Sequence, residues 1–94
     1  MSAERRVQSV EHLVLGRTVR EVRARFDLSQ ELLGLASGLH RNYLGAIERG
    51  EINPTFRILL KLSDGLTVPL SELFALYEVR REEPPPRSSA ARTH

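Results

Sequence analysis

The sequence predicts an all-α domain built from five helices. The 94 residues are enough for one compact domain with a single hydrophobic core. Aromatic residues make up only 5% of the chain, and runs of Val, Thr and Tyr that would favour strands are missing. Apolar residues instead recur at spacings of three and four along successive segments, which is the period of an amphipathic helix.

The first helix is predicted from Val10 to Phe26, after a flexible N-terminal segment at residues 1–9. Its apolar residues recur on one face, which is expected to be buried, and Arg and Glu residues lie between them. The residues of this stripe are Leu13, Leu15, Val19, Val22 and Phe26. The helical domain as a whole is expected to span residues 10–82.

Two short helices follow, separated by a tight turn. Ser29 is a good N-cap for a second helix from Gln30 to about Ser37. Gly38 supplies the turn, because glycine adopts left-handed backbone angles without a steric penalty. The third helix is predicted from about His40 to Arg49, and it stops at Gly50.

The fourth and fifth helices complete the domain. Pro54 disfavours helix just before it, and Thr55 can cap the fourth helix, whose apolar residues begin at Phe56 and end at Leu66. The fifth helix follows Pro69 and carries Leu70, Leu73, Phe74 and Tyr77 on one face. Residues 83–94, rich in Pro, Arg and Ser, are expected to form a disordered tail.

The composition argues against an enzyme. The chain has no Cys, which excludes disulfides and a thiol nucleophile and fits a reducing compartment. His12, His40 and His94 fall on separate segments without a paired acid at a usable spacing, and no glycine-rich phosphate loop is present. We therefore expect no catalytic residue, no metal site and no cofactor.

Charge and hydropathy bear on partners and location. No apolar run reaches the length of about 18 residues that would indicate a membrane span, and Met1 is not followed by a secretion signal. We therefore expect a cytoplasmic protein that does not bind membranes. The net charge is only +2, but 13 Arg stand against one Lys, and their distribution matters more for an anionic partner than their sum.

An ordered set of motifs spans Ser29 to Phe74. Ser-Gln opens the second helix, Gly34 follows four positions on, and Gly38 occupies the turn. The pattern continues with "YLxxIERG" at 43–50, "NP" at 53–54 and "LxELF" at 70–74. In these features the chain resembles the lambda-repressor/Cro-like helix-turn-helix domains, also called the XRE family. The resemblance covers about 60 residues and implies a lambda-repressor-like fold that binds double-stranded DNA.

The resemblance implies that the third helix reads bases. Such a helix lies in the major groove, with its N-terminal residues facing the base edges. Arg41, Asn42 and Ala46 occupy the reading positions. An Arg side chain can form two hydrogen bonds with guanine, and an Asn side chain can form two with adenine. Long polar side chains at the exposed start of the helix are therefore suited to base recognition. The alternative is that Arg41 and Asn42 belong to an ordinary solvated face.

Other residues are candidates for contacts with the DNA backbone. Gln30 begins the second helix, where the amide groups and the helix dipole favour a phosphate. Further phosphate candidates are Tyr43, Arg49, Asn53, Arg17 and His40. His40 could instead cap the third helix or be a plain exposed side chain.

The resemblance also pairs Glu48 with Arg23 in a semi-buried salt bridge, against the alternative of a solvated Glu48. Asp27 stands where relatives often have Gly, so we expect it to adopt a left-handed conformation. Leu32 and Leu35 lie at family positions that are usually polar. They indicate either a contact with a protein partner or local repacking.

These expectations combine into a function. The chain would be a sequence-specific transcriptional regulator, repressor-like, that binds an inverted-repeat operator as a homodimer in a bacterial or phage setting, associated with the nucleoid. The dimer contacts are expected at Leu73, Leu76, Tyr77 and Val79, whereas Leu70 and Phe74 would close the monomer core. The alternative is a protein-interaction module of the same fold, such as an antitoxin or adaptor.

Overall fold

A computed structural model describes residues 9–83, which form five α-helices and contain no strand. The helices are α1 (Val10–Arg25), α2 (Gln30–Ser37), α3 (Arg41–Glu48), α4 (Phe56–Leu66) and α5 (Leu70–Arg81). The predicted all-α, five-helix class is confirmed. Except for Ser9 and Glu83, the N-terminal segment at 1–9 and the tail at 83–94 lie outside the described residues.

Side chains cap four of the five helices at their N-termini. Ser29 accepts a hydrogen bond from the Leu32 amide at 3.0 Å, and Thr55 accepts one from the Ile58 amide at 3.2 Å. Ser9 caps α1 and His40 caps α3 in the same way. Each cap satisfies an amide that has no partner inside the helix, and so the caps fix where these helices start.

Three left-handed residues follow helices at the predicted places. Asp27 has a φ of 55° after α1, Gly38 has a φ of 74° after α2, and Gly50 has a φ of 76° after α3. A fourth, Thr67 at φ 55°, follows α4 and was not foreseen from the sequence.

The helices enclose one core. Its fully buried members come from all five helices: Val19, Val22, Leu33, Leu44, Ile47, Leu62, Leu66 and Leu73. α2 packs on α3 and α4, and α1 packs on α3 and α5. α1 and α3 approach closely at Gly16, where a Cβ would lie 2.5 Å from the Ile47 carbonyl oxygen.

The buried stripe of α1 differs from the prediction at both ends. Leu13 is 40% exposed and Phe26 is 49% exposed, whereas Gly16 and Thr18 are buried beside Val19. The close crossing at Gly16 brings α3 against the middle of α1. The core therefore uses small residues there and does not reach Phe26.

α5 buries a different residue from the one expected. Leu73, predicted as a dimer contact, has no exposed surface, and Phe74, predicted to close the core, is 39% exposed. Neighbouring residues of a helix point about 100° apart, and the rotation of α5 places Leu73 rather than Phe74 in the core. Packing against α1 and α4 turns Leu73 inward, which corrects both assignments.

A salt bridge that the sequence analysis did not anticipate fixes the end of α5 to α1. Arg80 Nε and Nη2 donate to the two carboxylate oxygens of Glu21 at 2.8 and 2.6 Å. This hydrogen-bonded pairing is the largest cause of the lowered pKa of Glu21. Planar, two-point pairing of this kind is the strong form of an ion pair.

Residues 9–83 contain neither a membrane-spanning helix nor a metal-binding cluster. No helix in this range is long and apolar enough to cross a membrane. The same range holds no group of His, Asp and Glu side chains arranged to bind a metal ion.

Candidate nucleic-acid interface

α2 and α3 meet across a tight turn. Gly34 lets the turn pass close to α2, because a Cβ there would lie 2.5 Å from the Leu39 carbonyl oxygen. The Leu39 amide donates to the Gly34 carbonyl oxygen at 2.9 Å, which closes the turn around left-handed Gly38. Leu44 and Ile47 then fix the inner side of α3 in the core.

The outer side of α3 begins with two exposed polar residues. Arg41 and Asn42 are exposed and Ala46, one turn further on, is half-buried. Arg41 Nη1 lies 3.6 Å from a carboxylate oxygen of Glu31 on α2, and both side chains are more than 60% exposed. Such an exposed pair contributes little to stability, so Arg41 stays available to a ligand.

His40 caps α3. Its Nδ1 accepts a hydrogen bond from the Asn42 amide at 3.0 Å. Because Nδ1 is the acceptor, the proton of the neutral ring lies on Nε2, which can donate to another group. His40 therefore caps α3, which is one of the alternatives predicted for this residue.

A partly buried charged network lies beneath these residues. Glu48 accepts hydrogen bonds from Arg23 Nε at 2.7 Å and Arg23 Nη2 at 2.9 Å, and only 3% of its side chain is exposed. Arg23 also donates to the Leu28 carbonyl oxygen at 2.8 Å. The hydrogen bonding to Glu48 raises the pKa of Arg23. α1 and α3 are therefore joined by the two-point pair that the resemblance implied.

Gln30 joins this network from α2. Its Nε2 donates to Glu48 Oε1 at 2.9 Å, a contact that the sequence analysis did not foresee. Arg49 is exposed and pairs with Glu51 at 2.9 Å. The Gln30 amide and Arg49 Nη1 both lie against Gly45 of α3, so two phosphate candidates converge on that residue.

The remaining phosphate candidates lie in different surroundings. Tyr43 is half-buried and packs against the core. Arg17 is exposed and lines a groove between α1 and α5, together with Arg80 and other residues. Asn53 lines a cavity beside α5. Gln30 and Arg49 therefore lie close together beside Gly45, whereas Arg17 and Asn53 lie in other parts of the surface.

α2 carries an apolar outer surface. Leu35 is 75% exposed and Leu32 is 51% exposed. The structure argues against local repacking, one of the two alternatives for Leu32 and Leu35, because both side chains remain exposed to solvent.

A second apolar surface lies on α4 and α5. Phe56 is 66% exposed and Leu60, one turn further along α4, is 40% exposed. Phe74 and Tyr77 of α5 line a cavity of about 310 Å³ together with Leu59 of α4. We call Phe56, Leu59, Leu60, Phe74 and Tyr77 the α4–α5 surface. Of the other predicted dimer contacts, Val79 is 54% exposed and Leu76 is half-buried.

Two helices packed across a glycine turn, the second of which exposes polar residues in its first turn, define a helix-turn-helix protein. The chain belongs to the helix-turn-helix family of the XRE/Cro-C1 type, which it matches over residues 19–73. This is a class of DNA-binding transcription regulators rather than of enzymes.

The relatives include proteins of the same size range. Control protein C.SmaI of Serratia marcescens is 37% identical over 70 residues, which cover 74% of this chain and 83% of that protein. The HTH-type transcriptional regulator YgzD of Bacillus subtilis is 38% identical over 60 residues, covering 64% of this chain and 91% of YgzD. The crystal structure of the restriction-modification controller protein C.AhdI from Aeromonas hydrophila is similar, with a TM-score of 0.69. The two sequences are 39% identical, and the matched region covers 70% of this chain and 100% of the C.AhdI chain.

Proposed function

We propose that this protein is a sequence-specific, repressor-like regulator that binds an inverted-repeat operator as a homodimer. By analogy with the controller proteins that it resembles, the genes under its control are those of a restriction-modification system. It acts at bacterial or phage DNA in the cytoplasm. One observation carries the proposal: α3 exposes Arg41 and Asn42 side by side in its first turn, while its other face is buried.

The chemistry of these two side chains suits base reading. The Arg41 guanidinium can donate two hydrogen bonds to guanine O6 and N7, and the Asn42 amide can pair with adenine N6 and N7. Each such pair discriminates against the wrong base by about 1–3 kcal/mol. The half-buried Ala46 presents a small apolar surface to the same groove, where a thymine methyl would fit.

A single domain of this kind reads too few bases to select a site in a genome, which is why a dimer is proposed. Two copies related by a dyad would put their α3 helices about 34 Å apart, one turn of DNA. The α4–α5 surface supports this arrangement because it is apolar, because Phe56, Leu60 and Phe74 are exposed on it, and because helices other than α2 and α3 contribute it. The proposed dimer contact therefore comprises Phe56, Leu60, Phe74 and Tyr77, with Leu76 and Val79 at its edge, and excludes the buried Leu73.

Selection of bound sequences from a random DNA pool tests the proposal. The expected result is an inverted repeat with half-sites about one helical turn apart. On that sequence, Arg41→Ala should lose preference at one base pair per half-site, at a cost of about 1–3 kcal/mol. Lys61→Ala removes one positive charge from the exposed surface of α4 and should leave the base preference unchanged. A pool without any enriched sequence would refute sequence-specific binding, and equal weakening on all sequences would make Arg41 a backbone contact.

The exposure of Leu32 and Leu35 favours a second role, in which α2 binds a protein partner. An antitoxin or adaptor of this fold would use that surface as its main binding site. Leu35→Glu separates the roles. DNA binding by the purified protein should be retained, whereas binding to such a partner should be lost.

A further inference from the structure

The Gln30 side chain is held in place before any DNA arrives. Its Nε2 donates to Glu48 Oε1 at 2.9 Å, and Glu48 is fixed in turn by two hydrogen bonds from Arg23. The orientation of the amide is determined by this contact, because a carboxylate only accepts and the nitrogen must face it. One N–H of Gln30 is thereby used, and the second remains for another acceptor.

Gly45 leaves the space that this conformation needs. A Cβ on Gly45 would lie 3.4 Å from Gln30 Oε1 and 3.6 Å from Gln30 Nε2. The Gln30 amide therefore lies directly against the backbone of α3. The atom nearest to that Cβ is Arg49 Nη1, at 3.1 Å, which is the far end of a flexible side chain.

We propose that Glu48 and Gly45 are positioning residues for the phosphate contact of Gln30. Glu48 fixes which atom of the amide faces inward, and Gly45 admits the side chain against α3. A free Gln side chain would lose rotational freedom on binding, and one already held loses less. The inference rests on the proposed function, because it assumes that Gln30 donates to a DNA phosphate. The proposed positioning role also explains why a residue as small as Gly45 lies in α3, the helix that is proposed to contact the bases.

A size series at Gly45 tests the proposal without disturbing the Arg23–Glu48 pair. Ala at this position fits, since its Cβ would touch the Gln30 amide at ordinary contact distance and would require only a small shift of the flexible end of Arg49, whose Nη1 would lie 3.1 Å away. The γ carbons of Val extend about 1.5 Å further, into the space of the amide, and should displace it. Gly45→Ala is thus the matched control for Gly45→Val, and far-UV circular dichroism and thermal unfolding check that both variants fold.

Binding is measured by fluorescence anisotropy with a short duplex of mixed sequence, because a phosphate contact affects all sequences alike. Gln30→Ala and Gly45→Val should each bind about tenfold more weakly, as expected for one hydrogen bond to a charged group. Gly45→Ala should stay close to the unmodified protein. The double variant Gln30→Ala/Gly45→Val should bind no more weakly than Gln30→Ala alone, because both changes remove the same contact.

The salt dependence identifies which side chain is affected. Gln30 is neutral, so Gln30→Ala and Gly45→Val should leave the slope of log K against log salt unchanged, whereas Arg49→Ala should reduce it by about one. A reduced slope for Gly45→Val, normal binding by Gly45→Val, or additive losses in the double variant would overturn the positioning role. Normal binding by Gln30→Ala would instead refute the phosphate contact itself, and absence of binding by the unmodified protein would refute the proposed function.

Discussion

Removal of Glu48 should show how much the charged network contributes to the free energy of unfolding. Glu48→Ala deletes a carboxylate that accepts three hydrogen bonds, at 2.7, 2.9 and 2.9 Å. It leaves the Arg23 guanidinium with one acceptor, the Leu28 carbonyl oxygen. The Arg23 side chain is only 16% exposed, so water replaces the lost carboxylate poorly.

Removing one partner of a buried pair costs about 3–5 kcal/mol. Because some of the Arg23 side chain reaches solvent, we expect the lower end, about 3 kcal/mol. For a domain of this size each kcal/mol lowers the melting temperature by about 4–8 °C, which gives a fall of about 12–24 °C. Urea and thermal unfolding, followed by far-UV circular dichroism, measure both quantities.

Two further variants make this prediction specific to the buried pair. Glu78→Ala breaks an exposed pair with Arg81, whose side chains are 60% and 49% exposed, and should change stability by less than about 1 kcal/mol. The double variant Arg23→Met/Glu48→Met replaces the pair with apolar side chains and should recover much of the loss. An unchanged melting temperature for Glu48→Ala, or a double variant no more stable than the single one, would refute the reasoning.

Three other perturbations have definite expected outcomes. Phe74→Glu, on the α4–α5 surface, should produce a folded monomer in sedimentation velocity, whereas Leu35→Glu on α2 should leave the dimer intact; a Phe74→Glu dimer would rule this surface out. Glu21→Gln should lower stability at neutral pH but have little effect in acid. The folded-state pKa of Glu21 is depressed by Arg80, so its contribution is complete above the ordinary value of 4.5 and is lost as the pH falls through the lowered pKa; an equal loss at both pH values would contradict this. Gly16→Ala should destabilise the fold severely, since its Cβ would meet backbone atoms of α3 that cannot move independently; a normal melting temperature would show that the helices can separate.

The sequence by itself determined the elements of this protein. Helix ends depend on neighbouring residues, and Ser29, Gly38 and Thr55 therefore marked them correctly. The exposed start of α3 at Arg41 also follows from position within a short segment. The left-handed Asp27 was expected through the resemblance, because relatives often have Gly at that position. The Arg23–Glu48 pair could be expected only through the resemblance, because its two residues lie on different helices.

Only the tertiary structure decided which side of each helix faces inward. The apolar residues of α5 are too evenly distributed to fix its rotation, and contact with α1 and α4 buried Leu73 and exposed Phe74. The Gln30–Glu48 hydrogen bond and the close approach at Gly16 likewise depend on how helices distant in sequence cross. Periodicity specifies that a helix has an apolar side, but the angle at which that side meets its neighbours is set by the joint packing of all five helices.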